Sequence, residues 1–131
     1  MVNDPISDFI IRLKNAGLVG KNEASMPYSQ LKHAVAEKLK EAGFVANVER
    51  HGKKVRKSLD VTLKYDEKGN HAISGVKRIS KPGRRLYIKA NEIHPVKFGR
   101  GKRIISTPEG VLTGEEARAK NVGGEELFII W

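Results

Sequence analysis

The chain of 131 residues contains no cysteine. That absence excludes disulfide bridges and thiolate-bound zinc or iron–sulfur centres, and it fits a cytoplasmic setting. Aromatic residues are scarce, with four Phe, three Tyr and a single Trp, so Val, Ile, Leu and Ala must fill most of the core. No run of eighteen apolar residues occurs, and no membrane-spanning helix is expected. The opening Met1-Val2-Asn3-Asp4-Pro5 lacks the basic and then apolar pattern of a secretory leader.

What is abundant is positive charge, and it is unevenly placed. Residues 1–49 carry six Lys/Arg and six Asp/Glu; residues 50–103 carry seventeen against four, a net of +13; residues 104–131 carry two against five. One central stretch therefore produces the overall +10. A polyanion accounts best for such a field, because each phosphate neutralised releases condensed counterions. An anionic membrane face would also attract it, but the basic residues alternate with strand and turn signals and form no basic amphipathic helix. Nucleic acid is the expected partner and membrane is not.

Asp4-Pro5 offers a capping acceptor followed by proline at a first helical position. Ile6, Phe9, Ile10 and Leu13 recur at helical spacing, with Gly17 as a stop and Arg12, Lys14 and Asn15 off the apolar stripe. A short extended piece spans residues 23–26. Ser29 can cap a second helix whose apolar face is Leu31, Ala34, Val35, Leu39 and Ala42, closed by Gly43. Residues 44–48 predict a strand, residues 51–57 a basic turn, and Leu59, Val61, Leu63 and Tyr65 an alternating strand. Residues 66–70 read as a turn and 73–79 as the returning strand.

The sequence thus predicts an α+β protein of two small lobes. Residues 1–79 form an N-terminal α-β-α-β-β-β lobe, and residues 80–131 a mainly β C-terminal lobe with one short helix. In the second lobe, strands are expected at 85–89, 103–106 and 127–131, with at most one helical turn at Pro95. Thr113-Gly114-Glu115-Glu116 fits a capping box opening the short helix.

Catalysis finds little support. Gly99-Arg100-Gly101 lacks the third glycine and the strand–helix setting of a dinucleotide fingerprint. His33, His51, His71 and His94 share no metal-ligand spacing and read as solvated side chains. Ser106 and Thr107 have no nominated base. The expectation is no enzyme, no cofactor and no metal.

Binding is better served. Arg78, Lys81, Arg84, Arg85 and Lys89 crowd a turn around Pro82-Gly83, where Arg forks can meet successive phosphates. Tyr87 is read two ways, as a stacking platform for a base or ribose and as a core-edge tyrosine. The segment Ser106-Thr107-Pro108-Glu109-Gly110 joins two hydroxyls, a stiffening proline and a glycine that admits close backbone approach. Small polar groups of that kind suit a shallow RNA minor groove, although a plain turn is the ordinary reading.

Taken together, ordered blocks resemble the ribosomal protein S-eight family of the bacterial small subunit. They are Asp4-Pro5-Ile6-Ser7-Asp8 with Ile11-Arg12-Leu13-Lys14-Asn15, Leu31-Lys32, Leu39 to Phe44, Leu63-Lys64-Tyr65, Val76 to Tyr87, Ile104 to Thr113, Glu116-Ala117-Arg118 and Gly123-Gly124-Glu125. The resemblance spans essentially the whole chain. It implies a structural constituent that binds the central domain of small-subunit ribosomal RNA early in assembly, beside neighbouring ribosomal proteins. It leaves repression of a ribosomal-protein messenger as a further role to test. By the same resemblance, Ser106, Thr107 and Gly110 would meet an irregular helix, Glu125 would accept from RNA donors, and Arg12, Asn15 and Lys32 would support backbone contacts. Lys81, Arg84, Arg85 and Lys102 are the expected phosphate ligands, and the free chain is expected to be a monomer.

There are departures. Pro108 stands where the family usually has a third hydroxyl, Gly114 where an Asp is common, and Gln30 where a lysine is usual. A usually small and apolar segment is here Gly99-Arg100-Gly101-Lys102-Arg103, whose charge is expected to compensate for lost hydrogen bonds. Two other readings stay open: a non-ribosomal nucleic-acid-binding module using the same basic lobe, and a hydrolase or transferase using Ser106.

Overall fold

The computed structural model describes residues 4–52, 57–96 and 101–131. The protein is α+β and divides into two compact units, Met1–Ala72 and Ile73–Trp131.

In the first unit, helix α1 (Pro5–Leu18) starts where Asp4 accepts a hydrogen bond from Ser7 N at 3.1 Å. It buries Ile6, Phe9, Leu13 and Ala16, one stripe at helical spacing. Removing a side chain such as Phe9 from water contributes roughly 1.5–3 kcal/mol. The helix runs past Gly17, the expected stop. A Cβ at Gly17 would lie 2.3 Å from the His71 ring, so this glycine makes room for a side chain, and the chain turns left-handed at Gly20 instead, with φ +71°. His71 is accordingly not the solvated residue expected from its turn. Its ring lies 5.4 Å from that of Tyr65, and burial lowers its pKa below the usual 6.5.

Strand β1 (Glu23–Pro27) precedes helix α2 (Gln30–Glu41), which Ser29 caps through Lys32 N. Strands β2 (Val45–His51) and β3 (Ser58–Leu63) follow, and the sheet is antiparallel in the order β1-β3-β2. Leu59, Val61 and Leu63 face the core in strict alternation, as their spacing predicts. The basic turn expected at 51–57 lies partly outside the described residues.

The expected element order α-β-α-β-β-β holds, but its last strand belongs elsewhere. Strand β4 (Val76–Arg78) does not return to the first sheet; it pairs with β8 (Gly124–Ile130). The boundary therefore falls after Ala72 and not after residue 79. A three-residue strand carries too little alternation to announce its partner.

The second unit is built around β8. One edge pairs with β6 (Lys102–Thr107), which pairs in turn with β7 (Gly110–Thr113). The other edge takes both β4 and the two-residue β5 (Tyr87–Ile88), much shorter than the strand expected over 85–89. A single 3-10 turn lies at Ala90–Glu92, ahead of the one expected at Pro95. Helix α3 (Gly114–Ala119) opens on the expected Thr113–Glu116 capping box. Ile93, Ile105, Leu112 and Ala117 form the core between α3 and the sheet, with Ile88 and Val122 packed against it.

Candidate nucleic-acid interface

Register decides which side chains of the second unit share a surface. Val111 opposes Ser106, Ser106 opposes Glu125, and Glu125 opposes Tyr87. Residues directly opposed across antiparallel strands project to the same face. Strands β7, β6, β8 and β5 thus present Val111, Ser106, Glu125 and Tyr87 in one row. Their neighbours Leu112, Ile105 and Ile88 point the other way, into the core beneath α3. Tyr87 is 73% exposed, which removes the core-edge reading and leaves its ring free for a flat ligand.

Close strand approach underlies the row. A Cβ on Gly124 would lie 2.1 Å from Ser106 O, and one on Gly123 would lie 2.4 Å from Ile88 O. The paired glycines therefore let β8 sit between β6 and β5 immediately before Glu125. Nothing in local periodicity reports that role.

The chain between β4 and β5 leaves the β8 edge and comes back to it. Lys81 and Arg84 exchange backbone hydrogen bonds of 3.0 and 2.9 Å around Pro82-Gly83, and residues 81–85 are exposed. Arg85 Nη1 reaches Glu125 Oε2 at 3.0 Å, while the Ser80 hydroxyl donates to the same oxygen and accepts from Leu86 N. Burial raises the Glu125 pKa, but the bonds from Ser80 and Arg85 and the charge of Arg78 outweigh it and leave it below the ordinary 4.5. The carboxylate is thus ionised and oriented. Ser80, 1% exposed, was not legible as part of this arrangement, because a serine before Lys-Pro-Gly reads only as a turn start.

The two hydroxyls expected to act together are engaged differently. Thr107 Oγ1 donates to Gly110 O at 2.7 Å and accepts from Glu109 N at 3.1 Å, so it shapes the turn. Gly110 has φ +114°, a conformation that favours glycine. Among the described residues the Ser106 hydroxyl makes no hydrogen bond, which leaves it open to a ligand.

Other expected residues lie apart. Lys102 is four residues along β6 from Ser106, roughly 13 Å at strand rise, and its Nζ meets Glu115 at 3.2 Å. Arg103 is turned inward, bonded to Glu126 at 2.7 Å and to His94 O at 3.0 Å. The compensation expected from this basic segment therefore fails for Arg103, while Arg100 lies outside the described residues. In the first unit, Arg12 and Asn15 are exposed and line a groove of about 470 Å³ with Lys21, Glu23 and Ser25. Lys32 is not a surface cation. It is 3% exposed, with Nζ 2.7 Å from Asp8 and 3.2 Å from Pro27 O. Asp8 also accepts from Arg12 Nε at 2.9 Å, so Lys32 braces the carboxylate that orients Arg12. Burial raises the Asp8 pKa, and the hydrogen bonds from Lys32 and Arg12 bring it below 3.8.

Among the described residues, no group of three His, Asp or Glu could hold a metal ion, and no helix is long and apolar enough to cross a membrane.

The family model described as ribosomal protein S8 matches residues 4–131. The chain is 45% identical to the small ribosomal subunit protein uS8 of Staphylococcus saprophyticus over 99% of its own length and 98% of that protein. It is 46% identical to the uS8 of Levilactobacillus brevis with the same coverage, and 44% identical to that of Enterococcus faecalis over 100% and 99% of the two chains.

Proposed function

Because the chain belongs to the ribosomal protein S8 family, we propose that it binds the central domain of small-subunit ribosomal RNA and helps nucleate subunit assembly. It is a structural constituent of the small ribosomal subunit, a ribonucleoprotein of the cytoplasm. The observation that carries the RNA-binding reading is the row Ser106–Glu125–Tyr87 beside the exposed Lys81, Arg84 and Arg85.

In this reading the second unit is the main RNA reader. Lys81, Arg84 and Arg85 meet phosphates and set affinity and orientation, while Ser106, Glu125 and the Gly110 backbone face ribose hydroxyls and base edges. Tyr87 stacks on a base or ribose. Thr107 contributes by holding the turn, Arg12 and Asn15 support backbone contacts, and Lys32 acts through Asp8. Lys102 joins only if it leaves Glu115. The free protein is a monomer that meets neighbouring small-subunit proteins on the ribosome, and a messenger that mimics the RNA site would engage the same row.

The test separates affinity from recognition. Arg84→Ala with Arg85→Ala should weaken binding to every RNA and flatten its salt dependence. Ser106→Ala should reduce binding to the central-domain helix by about tenfold and leave random RNA unaffected. Equal losses on both RNAs from both changes would overturn this division.

A further inference from the structure

The first unit has a charge surplus of its own, and it sits in one place. Residues 1–49 are balanced, but Arg50-His51-Gly52-Lys53-Lys54-Val55-Arg56-Lys57 has five Lys/Arg and no carboxylate. Its two described cationic ends meet at a ring: Arg50 Cζ lies 5.6 Å and Lys57 Nζ 5.8 Å from the centroid of Tyr28. Strand register explains the meeting, since Pro27 and His51 both oppose Ser58, which brings the ends of β1 and β2 to the start of β3. Tyr28 N donates to Lys57 O at 3.1 Å, and the Tyr28 hydroxyl lies 3.4 Å from His33 Nδ1, which fixes the ring.

The nearby carboxylates are occupied by histidines. Glu49 and Asp60 lie 2.8 and 3.4 Å from His51 Nε2, and Glu37 lies 3.3 Å from His33 Nε2. Among the described residues Arg50 and Lys57 make no ion pair. The electron-rich ring thus gathers two flexible cations without neutralising them.

We infer that this end of the first sheet, through Tyr28, Arg50 and Lys57, is a further phosphate-binding point that takes an RNA backbone. The inference rests on the RNA-binding reading above and adds to the first unit a contact separate from Arg12 and Asn15. Gathering both side chains beforehand reduces the ordering cost of binding. The Arg50 fork can grip a phosphate through two N–H groups, and Lys57 adds a point charge. With cations over the ring, no base stacks on it, so the contact supplies affinity without sequence preference.

The experiment uses the full chain, a central-domain fragment of small-subunit ribosomal RNA and a random RNA of equal length, across a potassium chloride series. The double variant R50Q/K57Q should make the slope of log affinity against log salt shallower by about 1.5 on both RNAs. R50Q alone should give about half of that, and R50K should keep the slope. Unchanged slopes for R50Q and the double variant, at wild-type melting temperature, would overturn the inference. So would an unchanged slope accompanied by reduced incorporation into reconstituted subunits, which would identify an acidic protein as the partner. A wild-type chain that fails to prefer the ribosomal fragment would sink the earlier proposal alone, because the slope reads phosphate contact on either RNA.

Discussion

Two ion pairs, one from each unit, are used in opposite ways. In Met1–Ala72 the Lys32–Asp8 pair is withdrawn from solvent and ties α2 to α1, with Arg12 hung on its outer side. In Ile73–Trp131 the Arg85–Glu125 pair stands at the sheet surface, where Ser80 holds the carboxylate and Arg85 remains 54% exposed. A buried charge that loses its partner is left uncompensated, whereas an exposed pair contributes little to stability. The same residue types thus build the fold in one pair and furnish a surface in the other, and the inward Arg103–Glu126 pair of the second unit sides with the first. Burial, not charge count, separates them.

Breaking the buried pair should have the largest effect. Lys32→Ala should destabilise the first unit by about 3 kcal/mol, the low end for a broken buried pair because Asp8 keeps Arg12. Urea unfolding followed by amide exchange in β1 and β3 would measure it. A change under about 1 kcal/mol would place this pair with the surface ones.

Next in size is a change confined to the second unit. Gly124→Ala forces a Cβ against Ser106 O and should cost at least about 2 kcal/mol through loss of β6–β8 pairing. Trp131 is the only tryptophan, so its fluorescence reports this unit. An unchanged Trp131 transition would show that the row tolerates wider spacing.

The smallest effect sharpens the comparison through pH. An unfolded chain protonates His71 near 6.5, whereas burial holds the folded ring's pKa lower. Between those values the unfolded state binds more protons, so the first unit should lose stability as pH falls below about 6.5. His71→Phe should remove that slope. Asp8 works at a lower window: its depressed pKa contributes stability above about pH 4 that is lost on further acidification.

The sequence by itself determined the locally encoded parts. Helix α1 with its Asp4 cap, helix α2, the Leu59–Val61–Leu63 alternation and the Thr113–Glu116 box follow from short-range spacing and capping chemistry. Ordered motifs also carried the family, and the charge map carried the kind of partner to propose. Tertiary structure alone decided that the last strand is the centre of the second sheet, since β8 joins β4, β5 and β6 from far along the chain. It alone put Ser106, Glu125 and Tyr87 in one row, sent Lys32 inward, and tied the Thr107 hydroxyl, but not that of Ser106, into the turn. Strand register and burial are relations between distant segments, and no local period records them.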